Sequence, residues 1–236
     1  MITTRSFAVL GAFLAIGLAV FGYQVGRAVK LGREFDRYFT VRGLSEREVK
    51  ATLVIWPMRY VATGETLAEL QTSIASAKAI VTSFLLENGV QQAEIIYGLP
   101  DINDTIGSRK RDDVVVLPRY NAAITMVVRS RNVDVVKLAI QKSEALIAKG
   151  VPLANQDYGN RISFEFDGVN AIKPAMIQEA TANARQAAQK FAEDSKAEVG
   201  SIRKATQGVV DIQDRDIASP ELKIVRVITT VEFFIK

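Results

Sequence analysis

Apolar residues recur along this chain with three different spacings, and each spacing predicts a different element. From Ser6 to Gly26 they run on almost without interruption: SFAVLGAFLAIGLAVFGYQVG carries no charge. As a helix rising ~1.5 Å per residue, the stretch is about as long as the ~30 Å hydrocarbon core of a bilayer. A backbone at that depth must satisfy its own amides, which an α-helix does. An uncleaved single-pass anchor with a charged stalk is therefore predicted for residues 1–37. A cleaved signal is the alternative. Arg5 supplies its basic start, but the apolar run exceeds the roughly 7–15 residues of a signal core, and Val20-Phe21-Gly22 is a poor cleavage site. Gly11, Ala15, Ala19, Gly22 and Gly26 give the segment a small-residue stripe of the kind that lets helices approach closely in lipid, though such residues are common in any membrane helix.

A helical spacing appears three times. Thr66 and Glu69 form a capping-box pair ahead of Leu67, Leu70, Ile74, Ala77, Val81 and Phe84, and Asn88-Gly89 ends the stripe. Asn132 caps a second helix with Val133, Val136, Ile140 and Ile147 inward, ending at Gly150. Lys173-Pro174 opens a third, with Pro in the tolerated first turn and a stripe of Ile177, Ala180, Ala184, Ala187 and Phe191, closed by Gly200.

Alternation marks the strands. Phe39 to Gly43 reads as a short strand, and Leu44 to Glu48 as a turn. Val49 to Tyr60 follows, apolar on both faces for part of its length, with Pro57 signalling a bulge or an edge. Gln92–Leu99, Arg119–Arg129, Arg161–Asp167, Ser201–Ile212 and Glu221–Ile235 complete the set, and Pro100–Asp113 reads as a polar loop. The order βαββαβαββ predicts an α+β fold. Its parts are an N-terminal transmembrane helix and a mixed or antiparallel sheet body over residues 38–236 with helices on one face. Residues 39–130 and 131–236 are read as related halves, without a crisp sequence repeat.

Charge narrows the picture. Net charge is +4, yet Arg5 to Arg37 alone holds five basic and two acidic residues, so the body is nearly neutral. The basicity is juxtamembrane and suits anionic headgroups; it gives no basic face for nucleic acid. Arg27, Lys30, Arg33 and Arg37 after the segment, against Arg5 before it, bias the body toward the cytoplasm. There is no Cys and no His. Cys/His zinc sites, thiol chemistry and Ser-His or Cys-His nucleophile pairs are thereby excluded.

The remaining candidates are thin. Ser201-x-x-Lys204 matches a nucleophile pattern without its partner motifs. Asp211, Asp214 and Asp216 lack the spacing of a calcium loop. Asp101 with Asp104, or Asp112 with Asp113, are carboxylate pairs in a polar loop. Trp56, Met58 and Tyr60 share one strand face, which reads as core or as a subunit contact. No glycine-rich phosphate cradle occurs. The residues therefore predict no catalytic, cofactor-binding or metal site, and a chain that is not an enzyme.

Several blocks nevertheless resemble one bacterial family. Val41-Arg42-Gly43-Leu44-Ser45-Glu46-Arg47-Glu48-Val49 with Ile55-Trp56-Pro57 is similar to the opening of SIMPL-domain proteins. So are Phe166-Asp167-Gly168-Val169-Asn170-Ala171-Ile172-Lys173-Pro174, the helix from Ile177 to Ala192, Ala205-Thr206-Gln207-Gly208, and Val225-Arg226-Val227 with Thr229-Thr230-Val231. The resemblance covers about Arg37 to the C terminus. It implies an envelope protein with a signal or anchor and a periplasmic or outer-surface body, against the charge bias above. It also implies a link to oxidative and other envelope stress, relatives that form ring-like oligomers, and no accepted catalytic residues. The partners expected are membrane lipid through the N-terminal helix, further copies of the chain and an unidentified envelope component.

Overall fold

The structure, a computed structural model, describes residues 13–27, 37–107, 118–153 and 161–235. Residues 13–27 form helix α1, its side chains exposed throughout. The first part of the predicted anchor lies outside the described residues. Among those described, no helix is long and apolar enough to cross a membrane.

Beyond α1 the fold is mixed α+β, with antiparallel strand pairing. The strands are β1 (Tyr38–Lys50), β2 (Leu53–Gly64), β3 (Ile95–Tyr97), β4 (Asp101–Asp104), β5 (Tyr120–Ser130), β6 (Ser163–Glu165), β7 (Val199–Asp214) and β8 (Leu222–Ile235). The helices are α2 (Leu67–Glu87), α3 (Val133–Gln141), α4 (Ala145–Ala148) and α5 (Val169–Asp194). Two compact units interleave along the sequence. One takes its described residues from Met1–Glu46, Lys173–Asp211 and Arg226–Lys236, the other from Arg47–Ile172 and Ile212–Val225.

The first unit holds most of a three-stranded sheet ordered β1-β8-β7, under α5. Val41, Val231 and Phe233 alternate inward as strand residues must and meet Ala184 and Ala188 of α5. The predicted turn at Leu44–Glu48 is absent: β1 runs straight through it. Ser45 is buried, and its hydroxyl donates to Glu179 Oε2 at 2.9 Å. In α5 the buried stripe is Met176, Ala180, Ala184, Ala188 and Ala192: Ala180 and Ala184 are as predicted, while Met176, Ala188 and Ala192 take the places expected for Ile177, Ala187 and Phe191, and Phe191 is 61% exposed. The helix starts at Val169, so Pro174 lies inside it and forgoes a backbone donor there. Gly200 falls within β7 and does not close the helix.

The second unit is built on a sheet ordered β3-β5-β2-β6, with β4 also on β5. In the β2–β5 register Trp56 faces Val128, Met58 faces Met126 and Tyr60 faces Ile124. This face is buried with Leu70, Val81, Phe84 and Leu85 of α2 and Val133, Val136 and Ala139 of α3. Pro57 makes neither a bulge nor a register shift. It stays opposite Val127, and β6 pairs only with Leu53–Ile55, so the missing donor falls beyond that ladder. The Thr66 hydroxyl accepts from Glu69 N at 3.2 Å, but Glu69 reaches back to the Glu65 N–H at 3.0 Å instead of the cap's own. The second predicted helix is two helices. The interruption at 142–144 shifts the phase, so that Leu146 is buried and Ile147 63% exposed.

Candidate functional site

The structure separates most residues that the sequence offered as chemistry. Ser201 and Lys204 are both exposed on β7, and a spacing of three places them on opposite faces of a strand. The same geometry splits Asp101 from Asp104 at the two ends of β4, where Asp104 pairs with Arg119 at 3.2 Å. Asp112 and Asp113 lie outside the described residues. Asp214 pairs with Lys223, and Asp216 with Arg215 at 2.8 Å; the Arg215 guanidinium holds the Asp216 carboxyl below its ordinary range. Among the described residues no three such side chains cluster as metal ligands. Trp56, Met58 and Tyr60 are 1%, 1% and 0% exposed, hence core and no contact surface.

Three surfaces remain. The first is the outer edge of β7, to which no described strand is paired. It belongs to a 16-residue strand exposed nearly throughout, carrying Ile202, Val209 and Ile212 in the open, Val209 at 87%. β7 is held on its inner side by β8, with Arg215 N donating to Leu222 O at 2.8 Å across the hairpin end. An unpaired sheet edge presents backbone donors and acceptors, which proteins shield or pair.

The second is a polar hollow of about 590 Å³ in the second unit, between the β1–β2 corner and the start of α3. Lys50 Nζ donates to both oxygens of Asp134 at 2.6 Å. Across the hollow Arg131 meets Asp167 at 2.9 Å, and the Thr52 hydroxyl donates to the same carboxylate at 2.5 Å. Thr52 first, then Arg131, hold the Asp167 carboxyl below its ordinary value. The charges are mutually paired and exposed, so the hollow is pre-formed but carries no uncompensated charge. Below it Ser130, 1% exposed, donates to Glu94 at 2.6 Å and accepts from Asn132 N at 2.9 Å, which fixes where β5 hands over to α3.

The third is an apolar groove of about 330 Å³ in the first unit, beside the start of β1 and the end of α5. Phe39, Phe191, Ala197 and Ile235 line it, with Thr40 and Ser195 at its rim. Sequence reasoning missed all three surfaces. The edge of β7 depends on strand order, which periodicity does not encode. The groove exists because Ala192, and not the more apolar Phe191, faces the sheet.

Compared with known families, residues 39–224 match the family model described as "SIMPL: Protein of unknown function (DUF541)". No curated protein matches the chain.

Proposed function

Because the chain belongs to the SIMPL family, whose description assigns no function, we propose a role built on assembly and without catalysis. The protein is a single-pass protein of the bacterial inner membrane, with its body in the periplasm. It self-associates and contributes to envelope integrity or to tolerance of oxidative stress.

The observation that carries this reading is the outer edge of β7 in the first unit, to which no described strand is paired and where Ile202 and Val209 are exposed. Pairing with a second copy satisfies that edge with backbone hydrogen bonds, the mode of strand addition. The anchor reading rests on the uncharged stretch Ser6–Gly26. The scattered candidate nucleophiles and carboxylates support the absence of an enzymatic role.

Placement is tested with C-terminal reporter fusions. Active alkaline phosphatase and a dark green-fluorescent fusion are expected. The reverse pair would move the body to the cytoplasm, where the juxtamembrane charges point. Cells lacking the protein are expected to become more sensitive to oxidants and detergents; unchanged sensitivity contradicts the envelope role.

The polar hollow at Lys50, Thr52, Arg131 and Asp134 favours a second reading, a periplasmic module for a small ligand or an envelope partner. A ligand for it raises thermal stability by mass action, and Arg131→Ala abolishes that rise.

A further inference from the structure

The apolar groove of the first unit lies where the chain arrives at its folded body. Ile235 N donates to Arg37 O at 3.0 Å, which brings the last strand beside the first residues after the stalk. Phe39 forms one wall, and the far wall is Phe191, a large ring 61% exposed on the last turn of α5. The described part of helix α1 reaches residue 27. The ten residue steps from there to Arg37 span at most about 35 Å at ~3.3–3.6 Å each. A chain anchored through Ser6–Gly26 therefore cannot carry this groove far from the bilayer surface, and the tether gives the surface a high effective concentration.

Local charge indicates which force seats it. Along the chain, basic Arg37, Arg42, Lys190, Lys196 and Lys236 and acidic Glu193, Asp194 and Glu198 fall within two positions of the groove's lining residues. Charges of both signs flank the lining, so attraction to anionic headgroups does not single it out. The rings and aliphatic side chains remain, and apolar groups on a protein surface enter the headgroup–acyl boundary by burying area. We propose that this groove is a second membrane contact: Phe191, Phe39 and Ile235 seat the end of α5 on the surface of the bilayer that holds the anchor. The inference rests on the anchored reading above, and goes beyond it by fixing which end of the body meets lipid.

The chain contains no cysteine, so a single introduced thiol is a unique label. The full chain carrying Ser195→Cys, at the groove rim, is labelled with a fluorophore and reconstituted into phosphatidylcholine vesicles containing doxyl-labelled lipid. The control is Gln178→Cys, exposed on α5 and about 25 Å away at ~1.5 Å per residue. Loss of most fluorescence at position 195, with little at 178, is expected. It should persist in 1 M salt, where the Debye length is only about 3 Å, and vanish when Phe191→Asp is added. Vesicle flotation reads the anchor separately. Flotation without quenching at 195 overturns the groove contact and leaves the anchor standing; failure to float overturns both. A label at 195 that lipid does not quench, yet is shielded from aqueous iodide, shows the groove covered by protein and also overturns the proposal.

Discussion

Gly43 lies directly beneath Ala180. A Cβ at Gly43 would collide with the Ala180 carbonyl oxygen and sit 2.6 Å from Ala184 N. Strand β1 and helix α5 thus approach backbone to backbone, and only a hydrogen at position 43 leaves room. Gly43→Ala is expected to destabilise the first unit by about 3 kcal/mol, the upper end of ordinary overpacking, because the obstruction is backbone that cannot rotate away. Urea denaturation measures it. An unchanged midpoint would show that α5 does not lie where the structure puts it.

The same contact explains which parts of the fold were legible in the sequence. Val41-Arg42-Gly43-Leu44-Ser45 reads locally as a strand running into a turn, because Gly and Ser are common turn residues. Both serve tertiary packing instead: Gly43 admits α5, and Ser45 bonds Glu179 from a buried position. Helix α5 is legible at its centre, where Ala180 and Ala184 are buried as expected, but not at its ends. Periodicity chose Phe191 as the more apolar neighbour, whereas the close approach selects Ala192. Helix α2 is legible in its bounds and in Leu70, Val81 and Phe84, since its caps Thr66 and Asn88 are local chemistry, but Leu67 is exposed and Leu85 is buried instead. The candidate surfaces were not legible. An edge, a hollow and a groove are each made by segments far apart in sequence.

Glu221 of the second unit is buried and ion-paired with Lys137, and that bond holds its carboxyl below the ordinary value of 4.5, against the opposing effect of burial. A lowered folded-state pKa adds stability that is full above the unfolded value and lost as pH falls through the folded one. The pair's contribution should therefore be constant near neutrality and fade below about pH 4.5. Lys137→Met is expected to cost about 1–2 kcal/mol at pH 7, less than a fully buried pair because Lys137 is partly exposed. Below pH 4 its midpoint should approach that of the parent chain. A difference that stays constant with pH would contradict the assignment.

Tyr97 and Tyr60 are neighbours with opposite acidities. Thr82 at 3.3 Å and Gln92 at 2.8 Å hydrogen-bond the Tyr97 hydroxyl and lower its pKa from 10.0, assisted by Lys78 Nζ 4.0 Å from the ring centre. The Tyr60 hydroxyl is buried and has no hydrogen-bond partner among the described residues, and desolvation raises its pKa. In an alkaline absorbance titration an early step, below the ordinary tyrosine value, should disappear in Tyr97→Phe and shift upward in Thr82→Ala. Persistence of the early step in Tyr97→Phe would refute the pairing.

The central claim, assembly through the β7 edge, is tested most directly by the absolute mass of the full chain in detergent, from light scattering during size exclusion. The parent chain is expected to run as one defined oligomer whose mass does not change with concentration. Val209→Lys, a change at a side chain 87% exposed, puts a charge on the edge, the device by which natural sheets block such pairing. It should lower the mass toward a single 25.9 kDa chain without changing the circular dichroism. A parent chain that is monomeric at high concentration, or an oligomer that Val209→Lys leaves intact, would contradict the account.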